Sequence, residues 1–168
     1  MPSIDETKPF VPLNIAVLTV SDTRSLEEDK SGATLAERLT AAGHKLGPRE
    51  IVTDDVEAIR ALIKEWIADP GIDVIITTGG TGFTGRDVTP EAVEPLFDKR
   101  MDGFSIAFHM LSHAKIGTSA IQSRATAGTA GSTFIFCLPG SPGACRDGWD
   151  GILALQALQL RRDHAAAG

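Results

Sequence analysis

Ile75-Ile-Thr-Thr-Gly-Gly-Thr-Gly-Phe-Thr-Gly-Arg-Asp-Val-Thr-Pro-Glu91 carries an apolar strand into a glycine-rich loop, then an Arg-Asp pair, then a helix start. That order suits a phosphate-binding site. Gly79, Gly80, Gly82 and Gly85 let the backbone take positive φ and come close to a ligand, so that N–H groups around Thr81 can face an anion. Arg86 adds a planar cation. Asp87 stands out, because a carboxylate beside a phosphate cradle is repulsive unless a divalent cation lies between them or the carboxylate shapes the loop through hydrogen bonds. Thr89 reads as an N-cap with Pro90 at the first helical position, where its missing N–H costs nothing. Two named loop classes fail here. Gly80 to Gly85 fits G-x-G-x-x-G, but it follows the third strand instead of the first, and the helix waits until Pro90. The same residues fit P-loop spacing, yet Arg86-Asp87 stands where Lys and Ser/Thr are required.

Working outward, strand and helix signals alternate, the pattern of an α/β fold with three layers: a mostly parallel sheet with helices on both faces. Leu13 to Val20 is nearly all apolar, as a strand buried on both faces should be. Ser31 to Ala42 reads as a helix ended by Gly43. Lys45 to Val52 reads as a strand nearer an edge, because it contains Pro48. Val56, Ile59, Ile63, Trp66 and Ile67 recur at helical spacing opposite Glu57, Arg60, Lys64 and Glu65, and Pro70-Gly71 stops that helix. Asp73 to Thr78 and Thr133 to Leu138 complete four expected strands. The loop Pro139-Gly140-Ser141 then leads into a helical stretch to about Leu160, with Ser141 as cap. Two loops at carboxyl ends of strands, each leading to a helix N-terminus on one rim, suit a ligand with more than one phosphate.

Composition narrows the function classes. A chain of 168 residues with 42% hydrophobic content is about one domain in size. We expect one domain over 13–160, with a flexible segment at 1–12 and a tail at 161–168. The formal charge of −6 and the lack of a basic stripe argue against nucleic acid as a partner. No apolar run is long enough for a signal peptide or a membrane span, so the expected location is cytoplasmic, with no membrane contact. Cys137 and Cys145 read as inert buried thiols.

Several segments admit two readings. Asp54 with Glu57 forms a capping-box arrangement before the strongest helix, which is an adequate structural role by itself. Gly117 to Gly128 is dense in small and hydroxylated residues and includes Ser119, Ser123 and Arg124; a hydrogen-bonding ligand pocket explains this, and so does tight packing or a subunit contact. His109 and His113 lie four apart on a helix and could share zinc, though a solvated face suffices. Glu27-Glu28-Asp29-Lys30 reads as a solvated loop, or as a lid over Ser21 to Arg24.

The stretch Thr78 to Glu91, together with Gln122 to Gly128, Leu138 to Pro142 and Ala16 to Asp22, resembles the MoaB/MogA family of molybdenum cofactor biosynthesis proteins. The resemblance runs from about Leu13 to Leu160, and Phe104 to Ser123 looks more like the MoaB branch. It implies a molybdopterin-binding fold that forms a homo-oligomer, a trimer or a hexamer of two trimers. It also implies a reaction, adenylyl transfer from Mg-ATP to the terminal phosphate of molybdopterin, and contact with a molybdenum-insertion protein downstream. By position, Asp87 matches the family's essential aspartate in Arg-Asp-x-Thr-Pro, Asp54 its partner in Asp-Asp-Val-Glu, and Ser112 a serine at the pterin site. On this reading Asp87 and Asp54 are catalytic and hold Mg²⁺, while Gly79, Gly80, Thr81, Gly82, Arg86, Pro139, Gly140 and Ser141 bind substrate or nucleotide. Some MoaB-branch members depart from the Arg-Asp motif and lack the activity; this chain keeps Arg86, Asp87, Thr89 and Pro90. The alternative from another class is a non-catalytic molybdopterin carrier or scaffold.

Overall fold

The computed structural model describes residues 10–157, without the side chains of 155–157. Six strands form one sheet in the order β2-β1-β3-β6-β5-β4. β1 (Asn14–Val20), β2 (Lys45–Val52), β3 (Val74–Thr78) and β6 (Thr133–Leu138) are parallel, and all four deliver their carboxyl ends to one rim. β5 (Thr126–Ala130) runs antiparallel to β6, and the short β4 (Lys99–Arg100) antiparallel to β5. Pro48 lies on β2, which is an edge strand, as expected of a residue that cannot donate to a ladder.

Alternation along the central strands explains the three layers. Ile15 and Val17 of β1 and Val74 and Ile76 of β3 pack with Leu35 and Leu39 of α1 (Lys30–Ala41), Phe104 and Phe108 of α4 (Asp102–Ile116) and Trp149. Ala16, Leu18 and Ile75 point the other way, onto Ile59, Ile63 and Trp66 of α2 (Val56–Ala68) and Val93 of α3 (Thr89–Val93). A strand covered on both faces has no reason to alternate with polar residues, so β1, β3 and β6 read as apolar runs. Burial pushes the thiol of Cys137 on β6 up to about 12 and that of Cys145 up to about 11, consistent with inert core cysteines.

Four expectations about the fold need correction. Two strands escaped the sequence reading: β4 is only two residues long, and β5 (TAGTA) lacks an apolar run. At Gly128 of β5 Phe97 lies so close that any Cβ would overlap its ring. Asp29 does not belong to a solvated charge run. It is buried as the N-cap of α1, accepting from Gly32 N at 2.9 Å and Thr19 Oγ1 at 2.7 Å, with Arg49 at 3.3 Å. Thr89 is not an N-cap either; it is the first helical residue of α3, and its buried hydroxyl donates to the Gly79 carbonyl at 2.8 Å. The helix expected to run to Leu160 is α5 (Pro142–Gly148), capped by Ser141 as expected and continued by a π-helical stretch over Trp149–Ala157. The tail at 161–168 and most of the segment at 1–12 lie outside the described residues.

Candidate functional site

The parallel strands end in four short loops that meet at the rim. β1 delivers Ser21 and Asp22, β2 delivers Asp54, β3 delivers Gly79 and Gly80, and β6 delivers Pro139 and Gly140. Gly79 and Gly80 have φ of +100° and +69°, whereas Gly82 and Gly85 do not take positive φ. The expectation of positive φ throughout the loop is therefore right only at its entry. That entry is fixed from three sides: Gly79 N donates to Leu138 O at 3.1 Å, Thr89 N donates to Gly80 O at 3.0 Å, and Thr78 Oγ1 donates to Pro139 O at 2.8 Å.

Above this floor lies a cleft of about 450 Å³ that contains Asp22, Asp54, Gly80, Arg86, Asp87 and Gly140. Asp87 Oδ2 accepts from Thr84 N at 3.1 Å and Thr84 Oγ1 at 2.7 Å, so the carboxylate braces its own turn. Asp54 is not the cap of α2. Asp55 takes that role, accepting from Ala58 N at 2.9 Å, which frees Asp54 to face the cleft. The Asp54 backbone N–H donates to Asp22 Oδ1 at 2.8 Å, and Asp22 also pairs with the guanidinium of Arg86. Burial, reinforced by the charge of Asp87, raises the Asp54 carboxyl above its ordinary 3.8.

Arg124 clamps this loop from behind. Its Nε donates to Thr81 O at 3.1 Å and Gly82 O at 3.0 Å, its Nη2 donates to Asp87 O at 3.1 Å, and both Nη atoms meet the Glu91 carboxylate at 2.6 and 3.0 Å. The fork spans the whole turn that presents Asp87. The Arg124 hydrogen bond holds the Glu91 carboxyl below its usual 4.5. A depressed carboxyl stabilises the fold above its ordinary pKa, and that contribution is lost as pH falls through the folded value. We therefore expect Arg124→Ala to lower unfolding free energy near neutral pH by about 1–3 kcal/mol through the unpaired loop carbonyls and carboxylate. In urea titrations the gap from wild type should narrow below pH 4.5; a gap independent of pH would contradict the clamp.

Ser112, Ser123, Pro139 and Ser141 gather instead in a second cleft of about 250 Å³, walled also by Phe108 and Lys115. The loop Pro139-Gly140-Ser141 divides the two clefts, since Gly140 lines the first and its neighbours the second. Ser119 is exposed and lines neither. Thr81 is buried, and its carbonyl serves Arg124. His109 is half-buried, with Nδ1 2.8 Å from Ser105 O and Nε2 2.8 Å from Ser123 O, so it is not the solvated residue expected of that helix face. Among the described residues no three His, Cys, Asp or Glu side chains converge as a metal cage.

Sequence reasoning gave no site role to Thr84, Glu91, Lys115 or Asp147, and named Asp22 only within the Ser21 to Arg24 segment and the Ala16 to Asp22 motif. The signal for Asp22 was its place at the carboxyl end of the first strand. The others become partners only through contacts across the turn or between α4 and α5.

Comparison with known proteins agrees with this architecture. A family model described as a probable molybdopterin binding domain matches residues 16–159. Molybdenum cofactor biosynthesis protein B of Escherichia coli (strain K12) is 48% identical over 147 residues, covering 88% of this chain and 86% of the relative. The protein of the same name from Bacillus subtilis (strain 168) is 44% identical over 147 residues, with 86% of each chain covered. A crystal structure of molybdenum cofactor biosynthesis protein B superposes with a TM-score of 0.85 at 43% identity, over 88% of this chain and 92% of that one. The tungsten cofactor synthesizing protein MoaB from Pyrococcus furiosus gives 0.72 at 36% identity, over 85% and 91%. No helix among the described residues is long and apolar enough to cross a membrane. With the family model spanning most of the chain and relatives near half identity, this chain belongs to the MoaB/MogA family of molybdenum cofactor biosynthesis proteins.

Proposed function

We propose that this chain adenylylates molybdopterin, transferring AMP from Mg-ATP to the terminal phosphate and releasing pyrophosphate. The observation that carries the reading is the placing of Asp54 and Asp87 in one cleft over the Gly79-Gly80 floor, beside Arg86, with a second cleft across the Pro139-Gly140-Ser141 wall. Two phosphate-bearing ligands can meet there. An oxygen of the molybdopterin phosphate attacks the α-phosphorus of ATP; the new P–O bond forms as the bond to the β-phosphate oxygen breaks, and pyrophosphate leaves with that electron pair. No proton has to move. The protein's part is to orient the two phosphates in line and offset their charge. Arg86 can leave Asp22 for a phosphate, since its side chain is 74% exposed.

Mg²⁺ fits this donor set. Asp54 and Asp87 offer hard oxygens, the Asp54 carboxyl being raised by burial and further by the charge of Asp87, and Mg²⁺ characteristically takes one or two protein carboxylates with substrate phosphate completing its shell. Bound there, it would neutralise charge on the triphosphate and the departing pyrophosphate. A cation favours ionised Asp54. Added Mg²⁺ should therefore move the Asp54 titration down in carbon-detected NMR of the carboxylate, and Asp87→Asn should move it down without metal. A titration insensitive to both would remove Asp54 from the site.

Pyrophosphate release by the purified protein, given molybdopterin, ATP and Mg²⁺, tests the reaction itself. Molybdopterin binding without release would point to a carrier. The homo-oligomer reading is supported by an exposed apolar stripe on α4, where Ile106 and Met110 are 61% and 69% accessible, with Ile121 beyond at 77%. Light scattering on a purified sample should give a trimer or hexamer; a monomer would overturn it.

A further inference from the structure

The smaller cleft contains one ionic pair that the reading above does not use. Its volume, about 250 Å³, falls below the roughly 300–1,000 Å³ usual for larger ligands, so it suits one flat ring system better than a whole nucleotide. Phe108, Ile116, Pro139 and Ala144 give it apolar walls, and the hydroxyls of Ser112, Ser123 and Ser141 can each donate or accept. Lys115 of α4 and Asp147 of α5 also line it, joined by an Nζ to Oδ1 contact of 2.7 Å. The lysine side chain is 54% exposed and the aspartate 24%, so the carboxylate is the more enclosed partner of the pair at the cleft. The lysine occupies Oδ1 from one side, and no donor among the described residues is recorded at Oδ2. An ionised carboxylate only accepts hydrogen bonds, so the ligand edge that meets Asp147 must supply N–H groups.

We propose that Asp147 is the specificity-determining residue for the pterin ring: its carboxylate accepts the adjacent N–H groups of the 2-amino-4-oxopyrimidine edge, while the Lys115 contact fixes its orientation. This assignment rests on molybdopterin being the ligand. The ring N–H and the exocyclic amino group form a planar pair of donors that matches two carboxylate oxygens, the geometry that makes guanidinium–carboxylate forks selective. Phe108 and Pro139 flank the ring plane. Lys115 keeps its contact with Oδ1, because each carboxylate oxygen has a further lone pair to offer.

The test is a fluorescence titration of the full chain with 2-amino-4-oxopteridine and with 2,4-dioxopteridine, in which a carbonyl replaces the amino donor. Wild type should prefer the amino compound by roughly tenfold to a hundredfold, the loss expected when a carboxylate faces an acceptor in place of a donor. Asp147→Asn, which turns one acceptor oxygen into a donor amide, should bring the two compounds to near parity. Lys115→Met should weaken both and preserve their order. Equal binding of the two compounds by wild type overturns the assignment whether or not the variants fold, as does an unchanged preference in folded Asp147→Asn. If molybdopterin still binds in the same assay, only the assignment falls; if molybdopterin does not bind at all, the adenylylation reading falls with it.

Discussion

Asp87→Asn should lower molybdopterin-dependent pyrophosphate release by on the order of 10²–10³-fold, the usual loss when one preorganised electrostatic group is removed from a charge-transferring step. The substitution is informative because the turn should survive it. Thr84 N and Thr84 Oγ1 both donate to a single oxygen, Oδ2, and an asparagine oxygen can accept both bonds. The Arg124 fork grips the Asp87 backbone carbonyl, which the substitution leaves in place. What changes is one negative charge in the cleft opposite Asp54. Molybdopterin binding should stay near wild type, because the cleft of Ser112, Ser123 and Ser141 lies beyond the Pro139 loop. Thermal unfolding should also stay within about 0.5 kcal/mol of wild type. Wild-type turnover in this variant would remove Asp87 from the mechanism.

Gly79→Ala should lower unfolding free energy by about 3 kcal/mol or more, combining a backbone conformation hostile to L side chains with a clash that cannot relax. Gly79 sits at φ +100°, and an added Cβ would strike the Val20 carbonyl oxygen, which is backbone of the central strand β1. Neither partner can yield cheaply. Gly79 N is bonded to Leu138 O and Gly79 O receives the Thr89 hydroxyl, so moving the residue disturbs β6 and α3 together. Gly140 adds a further limit, since its own Cβ position lies 3.1 Å from Gly79 Cα. Gly85→Ala is the control: its φ is not positive and nothing lies within 4 Å of its Cβ position. It should change stability by no more than about 0.5 kcal/mol. Urea midpoints that coincide for the two variants would show that the loop entry is far softer than the geometry implies.

The contrast between these glycines marks a limit of reading loops from sequence. All four glycines of the loop look equivalent as letters, yet only Gly79 and Gly80 take the left-handed region. Gly82 is small because the Asp87 carboxylate lies over it, 2.5 Å from where a Cβ would be. Gly85 has no such neighbour. The same distinction separates Asp54 from Asp55. Spacing to Glu57 made Asp54 look like the cap, but the cap is the residue whose oxygen reaches the third amide along, Ala58 N, and that is Asp55. Arg124 is the counterpart among cations: a lone arginine among small residues suited a ligand pocket or a packing contact equally, and its guanidinium is occupied by carbonyls of the glycine loop and by Glu91.

By itself the sequence determined the layered α/β architecture, the central parallel strands, the edge position of the Pro48 strand, the two loops on one rim and the Ser141 cap. These follow from local periodicity and from backbone limits on Pro and Gly, which act within a few residues of chain. Tertiary structure alone decided the antiparallel β5 and β4, the burial of Asp29, the grip of Arg124 on the loop and the division of the candidate residues between two clefts. Each depends on groups far apart in sequence, such as Phe97 on Gly128, Arg49 on Asp29, or Lys115 on Asp147. No pattern of neighbours along the chain encodes such contacts, because they exist only once the strands have paired and the helices have covered them.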